Sequence, residues 1–157
     1  MAGMFGPAQR IGLACAAAAF GIDQASKALV LAFAPTLREG VEILPIFNLV
    51  LTHNRGASFG LLSGLPWWAL AFVALAVVTI LSVWLWRTDV RPVGVAIGLL
   101  IGGALGNVLD RARWGAVTDF LDFHVEAYHW PAFNMADVAI VSGVGWLLLA
   151  GRERRAA

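Results

Sequence analysis

Residues 67–86 read WWALAFVALAVVTILSVWLW, twenty consecutive positions without a charge. Coiled into a helix at ~1.5 Å per residue, such a run matches the roughly 30 Å hydrocarbon core of a bilayer. A second uncharged run, residues 92–109 (PVGVAIGLLIGGALGNVL), begins only a few positions later. Two runs this close read as antiparallel membrane helices joined by a tight link. The rest of the chain agrees: of 157 residues, 60% are apolar and 13% charged, whereas soluble domains carry about 25% charge. A net charge of +1, with no basic run beyond the short cluster at 152–155, excludes nucleic-acid binding and disorder as the main theme.

Two further segments are long enough to span only if they accept polar residues. One contains Asp23 and Lys27, the other Asp137. The expected architecture is therefore an all-α membrane protein, a single domain over 1–157 with helices at about 11–35, 67–86, 92–110 and 134–151. Arg10 followed by residues 11–22 resembles the start of a secretory signal, but no small-x-small cleavage site leads into a soluble domain, so this segment is expected to stay as a helix. Arg10, the Arg87/Arg91 link and Arg152, Arg154 and Arg155 place both termini and the link in the cytoplasm. The longer connections, 36–66 and 111–133, then face outward, and eight of the ten acids, all but Asp89 and Glu153, fall on or near that face. Arg38, Arg55, Arg111 and Arg113 share that side, so the charge bias is not clean. Within those connections, 47–52 and 123–128 read as short interfacial strands. Trp67, Trp68, Trp114 and Trp130 read as an aromatic belt at the same level.

Depth gathers the polar residues. Asp23 and Lys27 lie one helical turn apart on one face, ~20 Å and more beyond Arg10. The motif Asn-x-x-Asp occurs twice, as Asn107/Asp110 closing one helix and Asn134/Asp137 opening the next, at one depth on antiparallel helices. An acid in lipid costs ~2.5–3.5 kcal/mol on insertion scales, so convergent acids mark a protein-lined site. The structural alternative is a polar network in which Asp23 pairs with Lys27 and Asp110 with Arg111. Asp137 has no base at i±3 or i±4 and stands out as a candidate acid or base. Gly94, Gly98, Gly102 and Gly106, with Gly103 and Ala104 alongside, form a ridge for close helix packing. Cys15 sits in an apolar run and reads as packing.

The available chemistry is narrow. There is no His-Glu-x-x-His pattern, and His53, His124 and His129 lack companions at zinc spacing, so neither metal nor cofactor is expected. Ser26 and Lys27 are neighbours that point to different faces, and no Gly-x-Ser-x-Gly elbow occurs. Carboxylate chemistry remains: two aspartates forced together share a proton, one activating water and the other protonating the leaving group. Spacing leaves the partner of Asp137 open between Asp110 and Asp119.

Five ordered motifs then carry a resemblance: Asp23-Gln24-Ala25-Ser26-Lys27, Asn54-Arg55-Gly56-Ala57-Ser58-Phe59, residues 102–111 ending Asn107-Val108-Leu109-Asp110-Arg111, Val117-Thr118-Asp119-Phe120, and Phe133-Asn134-Met135-Ala136-Asp137. Together they resemble the lipoprotein signal peptidase, or signal peptidase II, family, over nearly the whole chain. Ser58 and Thr118 depart from the alanine and valine frequent there. The resemblance implies an aspartic endopeptidase of the bacterial inner membrane that cuts before a diacylglyceryl-modified lipobox cysteine of prolipoproteins. Its catalytic pair would be Asp119 and Asp137, with Asp23, Lys27, Asn54, Gly56, Asn107, Asp110, Arg111 and Asn134 lining and organising the substrate site. Outer loops would form a small β-rich cradle and lid on the periplasmic side, with prolipoproteins and membrane lipids as partners. The competing class, a small proton-coupled transporter, would favour acids at the midplane and repeated halves, which this sequence lacks. A purely structural subunit leaves five convergent polar motifs unexplained.

Overall fold

The computed structural model describes residues 5–56 and 64–156, with side chains up to residue 150. Ala57, Ser58 and Phe59 of the second motif, and the side chains of Arg152, Arg154 and Arg155, lie outside that description. In chain order the elements are α1 (Pro7–Ala32), the single turn α2 (Ala34–Leu37), β1 (Val41–Leu44), β2 (Phe47–Asn54), α3 (Trp67–Arg87), α4 (Arg91–Trp114), β3 (Val117–Val125), β4 (Tyr128–His129) and α5 (Met135–Ala156). The protein is mostly helical. Helices α1, α3 and α4 are long and apolar enough to cross a membrane, and the apolar part of α5, Met135–Ala150, is shorter.

Helix α4 is central, with α1, α3 and α5 all packed on it. The glycine ridge explains how. A methyl group at Gly94, Gly98 or Gly102 would collide with the backbone carbonyls of Ala8, Gly12 or Ala16 on α1. On the neighbouring face, Gly103 meets the Ala136 carbonyl of α5 in the same way. Bare backbone at these positions lets helices touch where side chains would hold them apart. The outer surfaces of the bundle stay apolar, with Phe72 and Ile80 of α3 and Leu148 of α5 about 70% exposed (71%, 68% and 68%). That surface suits lipid and not water.

At one end of the helices lies an antiparallel sheet in the order β1-β2-β3-β4. Phe120 of β3 seats it on Val30 of α1 and Leu37 of α2. Trp67, Trp68, Trp114 and Trp130, expected as a belt, are all exposed. Several boundaries differ from the sequence reading: α1 spans Pro7–Ala32 where about 11–35 is expected, α5 runs on to Ala156, and two further differences lie at the sheet and the end of α4. Residues 123–128 are not one strand: β3 starts earlier, at Val117, and Glu126, at a φ of 52°, helps turn the chain into β4. Helix α4 continues past residue 110 to Trp114, because Asp110 and Arg111 find buried partners instead of ending it, and Gly115 (φ 68°) closes it by donating its N–H to the Arg111 carbonyl.

Candidate active site

The polar residues converge where α1, α4, β3 and the head of α5 meet. Lys27 Nζ reaches Asp23 Oδ2 at 2.9 Å, Asp110 Oδ2 at 3.0 Å and Asn107 Oδ1 at 3.0 Å. All three charged side chains are buried, Asp23 completely. Of the pairs in the structural alternative, Asp23–Lys27 is present, whereas Asp110 takes Lys27 and not Arg111 as its partner. Lysine 27 serves both acids, while Arg111 turns its guanidinium to the carbonyls of Gly56 (3.0 Å) and Asn107 (3.4 Å). Three donors of one ammonium match three oxygens, which is what makes two buried carboxylates tolerable beside one cation.

Each of these acids also holds backbone. Asp110 Oδ2 accepts the N–H of Thr118 at 2.9 Å, and Asp23 Oδ1 accepts the N–H of Ala136 at 2.9 Å. Thr118 immediately precedes Asp119, and Ala136 immediately precedes Asp137. The cluster therefore fixes the strand and the helix that carry the remaining two acids, and it occupies Asp110.

Asp137 lies in the first turn of α5. Asn134 Oδ1 accepts the Asp137 N–H at 3.1 Å, while Asp137 Oδ2 accepts the Asn134 N–H at 3.3 Å, a reciprocal cap that satisfies two otherwise orphaned donors. The cap accounts for the Asn-x-x-Asp spacing at the start of α5, and not for its occurrence within α4. Asn107 Nδ2 donates to Asp137 Oδ1 at 3.0 Å. The Asn134 amide turns the other way, donating to Asp119 Oδ1 at 2.6 Å and to Asn107 Oδ1 at 3.2 Å. One asparagine thus touches both acids.

Asn54 joins them through an irregularity in β2. Asn48 pairs with Asp122, but the register slips by one between Leu49 and Thr52, so that Thr52 pairs with Asp119 and Asn54 with Val117. Without the slip, Asn48 and Asn54, six residues apart, would face the same side. The bulge turns Asn54 to the face of Asp119, where it hydrogen-bonds that carboxyl. Its Oδ1 accepts the Gly56 N–H at 3.0 Å.

Asn54, Gly56, Asn107, Arg111, Asp119 and Asp137 line one cavity of about 640 Å³, whose other walls are apolar, from Phe133, Val138 and Val141. Asp23, Lys27, Asp110 and Asn134 stand behind that surface. Burial, and then the neighbouring Asp137 carboxylate, push the Asp119 carboxyl up to about 7, while hydrogen bonds from Asn54 and Asn134 and the Lys27 charge pull it down. A carboxyl poised there exchanges protons at working pH. The histidines take no part in the cavity: His129 Nδ1 contacts Asp122 at 2.9 Å and stacks on His124. Among the described residues, no group of three His, Cys, Asp or Glu is placed to hold a metal ion.

Two residues of this site stand within the quoted motifs but carry no role in the sequence reading. Gln24 Nε2 lies 3.0 Å from Asp23 Oδ2 and 3.3 Å from Asp110 Oδ1, bracing the two acids opposite Lys27. Only its place beside Asp23 could have drawn attention to it. Thr118 is 1% exposed and its hydroxyl has no partner among the described residues. A buried hydroxyl without a partner costs ~1–3 kcal/mol. Thr118→Val should therefore raise the thermal midpoint in detergent, by about 1 kcal/mol of stability; an equal or lower midpoint would show that the hydroxyl is satisfied.

Comparison with known proteins finds close relatives of this chain. A family model described as Signal peptidase (SPase) II matches residues 15–151. The lipoprotein signal peptidase of Aeromonas hydrophila subsp. hydrophila is 47% identical over 138 residues, covering 85% of this chain and 83% of that one. That of Methylorubrum extorquens strain PA1 is 46% identical over 145 residues, covering 89% and 84%. A bacterial membrane enzyme solved by the in meso method superposes with a TM-score of 0.81 at 28% identity, covering 90% of this chain and 87% of that one.

Proposed function

We propose, on the premise that this chain belongs to the signal peptidase II family, that Asp119 and Asp137 are its catalytic pair. As a member of that family the chain is a membrane peptidase that removes signal peptides from prolipoproteins. The matches lend nothing to the transporter reading. The observation that carries the assignment is Asn134, hydrogen-bonded to both carboxyls at the wall of one cavity. Asp110 is the weaker candidate, since Lys27, Gln24 and the Thr118 N–H already engage it.

In this reading one carboxylate takes a proton from water as its oxygen attacks the scissile carbonyl. The other, protonated, gives its proton to the carbonyl oxygen. The resulting gem-diol collapses as the first acid returns its proton to the leaving nitrogen and the second recovers one from a hydroxyl. One water is consumed, the C–N bond breaks, and both acids end as they began.

The finer reading extends the family's activity to the membrane setting. Cleavage falls just before a diacylglyceryl-modified lipobox cysteine, whose acyl chains stay in the bilayer and hold the scissile bond at the interface. Helix α5 is the fourth span, the chain forms one domain over 1–157 with both termini cytoplasmic, and the site lies near the periplasmic face of the inner membrane. Arg10, Arg87 and Arg91 at the opposite end of the helices support that orientation. The apolar walls beside Asp137 suit an approach from lipid, and the polar sheet end gives water a path. A gel-shift assay with a lipidated precursor in detergent tests it. Cleavage is expected for the diacylglyceryl form, not for the unlipidated control, and EDTA is expected to leave the rate unchanged. Equal cleavage of both precursors sinks the lipid requirement, and a loss with EDTA that zinc restores sinks the carboxylate mechanism.

A further inference from the structure

We infer that the two acids are not interchangeable: Asp119 carries the proton in the resting enzyme, and Asp137 is the ionised member that draws a proton from water. This rests on their being the catalytic pair, and it follows from which atoms around them can only donate. An ammonium has no acceptor, so Lys27 fixes Asn107 with its oxygen toward Nζ (3.0 Å) and its NH₂ toward Asp137 Oδ1 (3.0 Å). The other Asp137 oxygen meets the Asn134 backbone N–H, which likewise cannot accept. A proton on Asp137 would have to compete with donors on both oxygens, one of them ordered by a full positive charge. The head of α5 adds its partial positive charge at the same carboxylate.

Asp119 is differently placed. It stands on a strand, where no helix dipole acts, and its donors are the neutral amides of Asn134 and Asn54. It is also 2% exposed, whereas Asp137 is only half-buried, so removal from water falls harder on Asp119. The charged groups facing the pair are Lys27 and Asp23 from α1 and Asp110 and Arg111 from α4; β2 contributes only the uncharged Asn54. The upward push on Asp119 to about 7 agrees with this order.

The assignment separates the two limbs of the pH profile of kcat/KM. Removing a donor from a carboxylate raises its pKa. Asn107→Leu strips a donor from the base and should move the acidic limb upward by about one pH unit, with the basic limb held. Asn54→Leu strips one from the acid and should move the basic limb upward instead. The opposite pattern, or both limbs moving together in both variants, overturns the assignment. A measurement independent of turnover is the infrared band of a protonated carboxyl near pH 6 in the full chain. It should vanish in Asp119→Asn and persist in Asp137→Asn; persistence in Asp119→Asn with loss in Asp137→Asn reverses the roles. If either of these two variants turns over normally, it is the catalytic pair itself that fails.

Discussion

Asp119→Asn and Asp137→Asn should each lower turnover of a lipidated precursor by roughly a thousand- to ten-thousandfold, the worth of positioned acid–base chemistry. Neither should unfold the protein. An amide at 137 still offers an oxygen to the Asn134 N–H, so the reciprocal cap of α5 survives. An amide at 119 keeps an oxygen for the Asn134 Nδ2 donor and, like the protonated carboxyl it replaces, carries no charge. The measurement is single-turnover cleavage in detergent, with the thermal midpoint recorded on the same samples. A midpoint close to the parent with turnover gone supports the pair. Turnover within tenfold of the parent, in either variant, rules that residue out of the chemistry.

Lys27→Met should act through a different loss. It leaves Asp23 and Asp110 facing each other, buried, without their shared cation. Breaking a buried ion cluster by removing one partner costs about 3–5 kcal/mol. The damage should reach the site as well, since those two acids hold the N–H groups of Thr118 and Ala136. Turnover is expected to fall at least a hundredfold, because small misplacements of reacting groups are costly. Adding Asp110→Asn to Lys27→Met removes the stranded charge and should recover part of the stability, though not the activity. Additive losses in the double variant, read from thermal unfolding, would mean that Lys27 and Asp110 are energetically independent despite the 3.0 Å contact.

Much of the fold could be read from the chain because lipid tolerates so few charges. Residues 67–86 and 92–109 announced α3 and most of α4, and the glycines at 94, 98 and 102 announced a close helix approach, whose partner in the structure is α1. The errors lie where a signal depends on tertiary burial. Strand β3 was missed at its start because Val117, Thr118, Asp119 and Phe120 are buried on both faces, which erases the alternation that marks a half-exposed strand. The end of α4 is not legible from charge, which ordinarily marks exit from the membrane, because Asp110 stays inside on Lys27. The paired Asn-x-x-Asp motifs were legible as convergent, but not which aspartate would meet Asp137. That choice depends on the sheet carrying Asp119 to the head of α5, a long-range fact that spacing along α4 cannot contain. Family resemblance supplied Asp119, and nothing local supplied Gln24 or the idle hydroxyl of Thr118.

The slip in β2 between Leu49 and Thr52 has a consequence for how this chain can vary. Beyond it Asn54 stands opposite Val117, on the face of Asp119, although it lies an odd number of positions from Phe47. The bulge absorbs one residue, so a one-residue deletion between Leu49 and Thr52 would straighten the ladder and leave the asparagine opposite Val117. What the sheet could not tolerate is the present length without the bulge, which would turn Asn54 to the far side. A chain one residue shorter in this stretch can therefore keep the contact, trading the bulge for a regular strand.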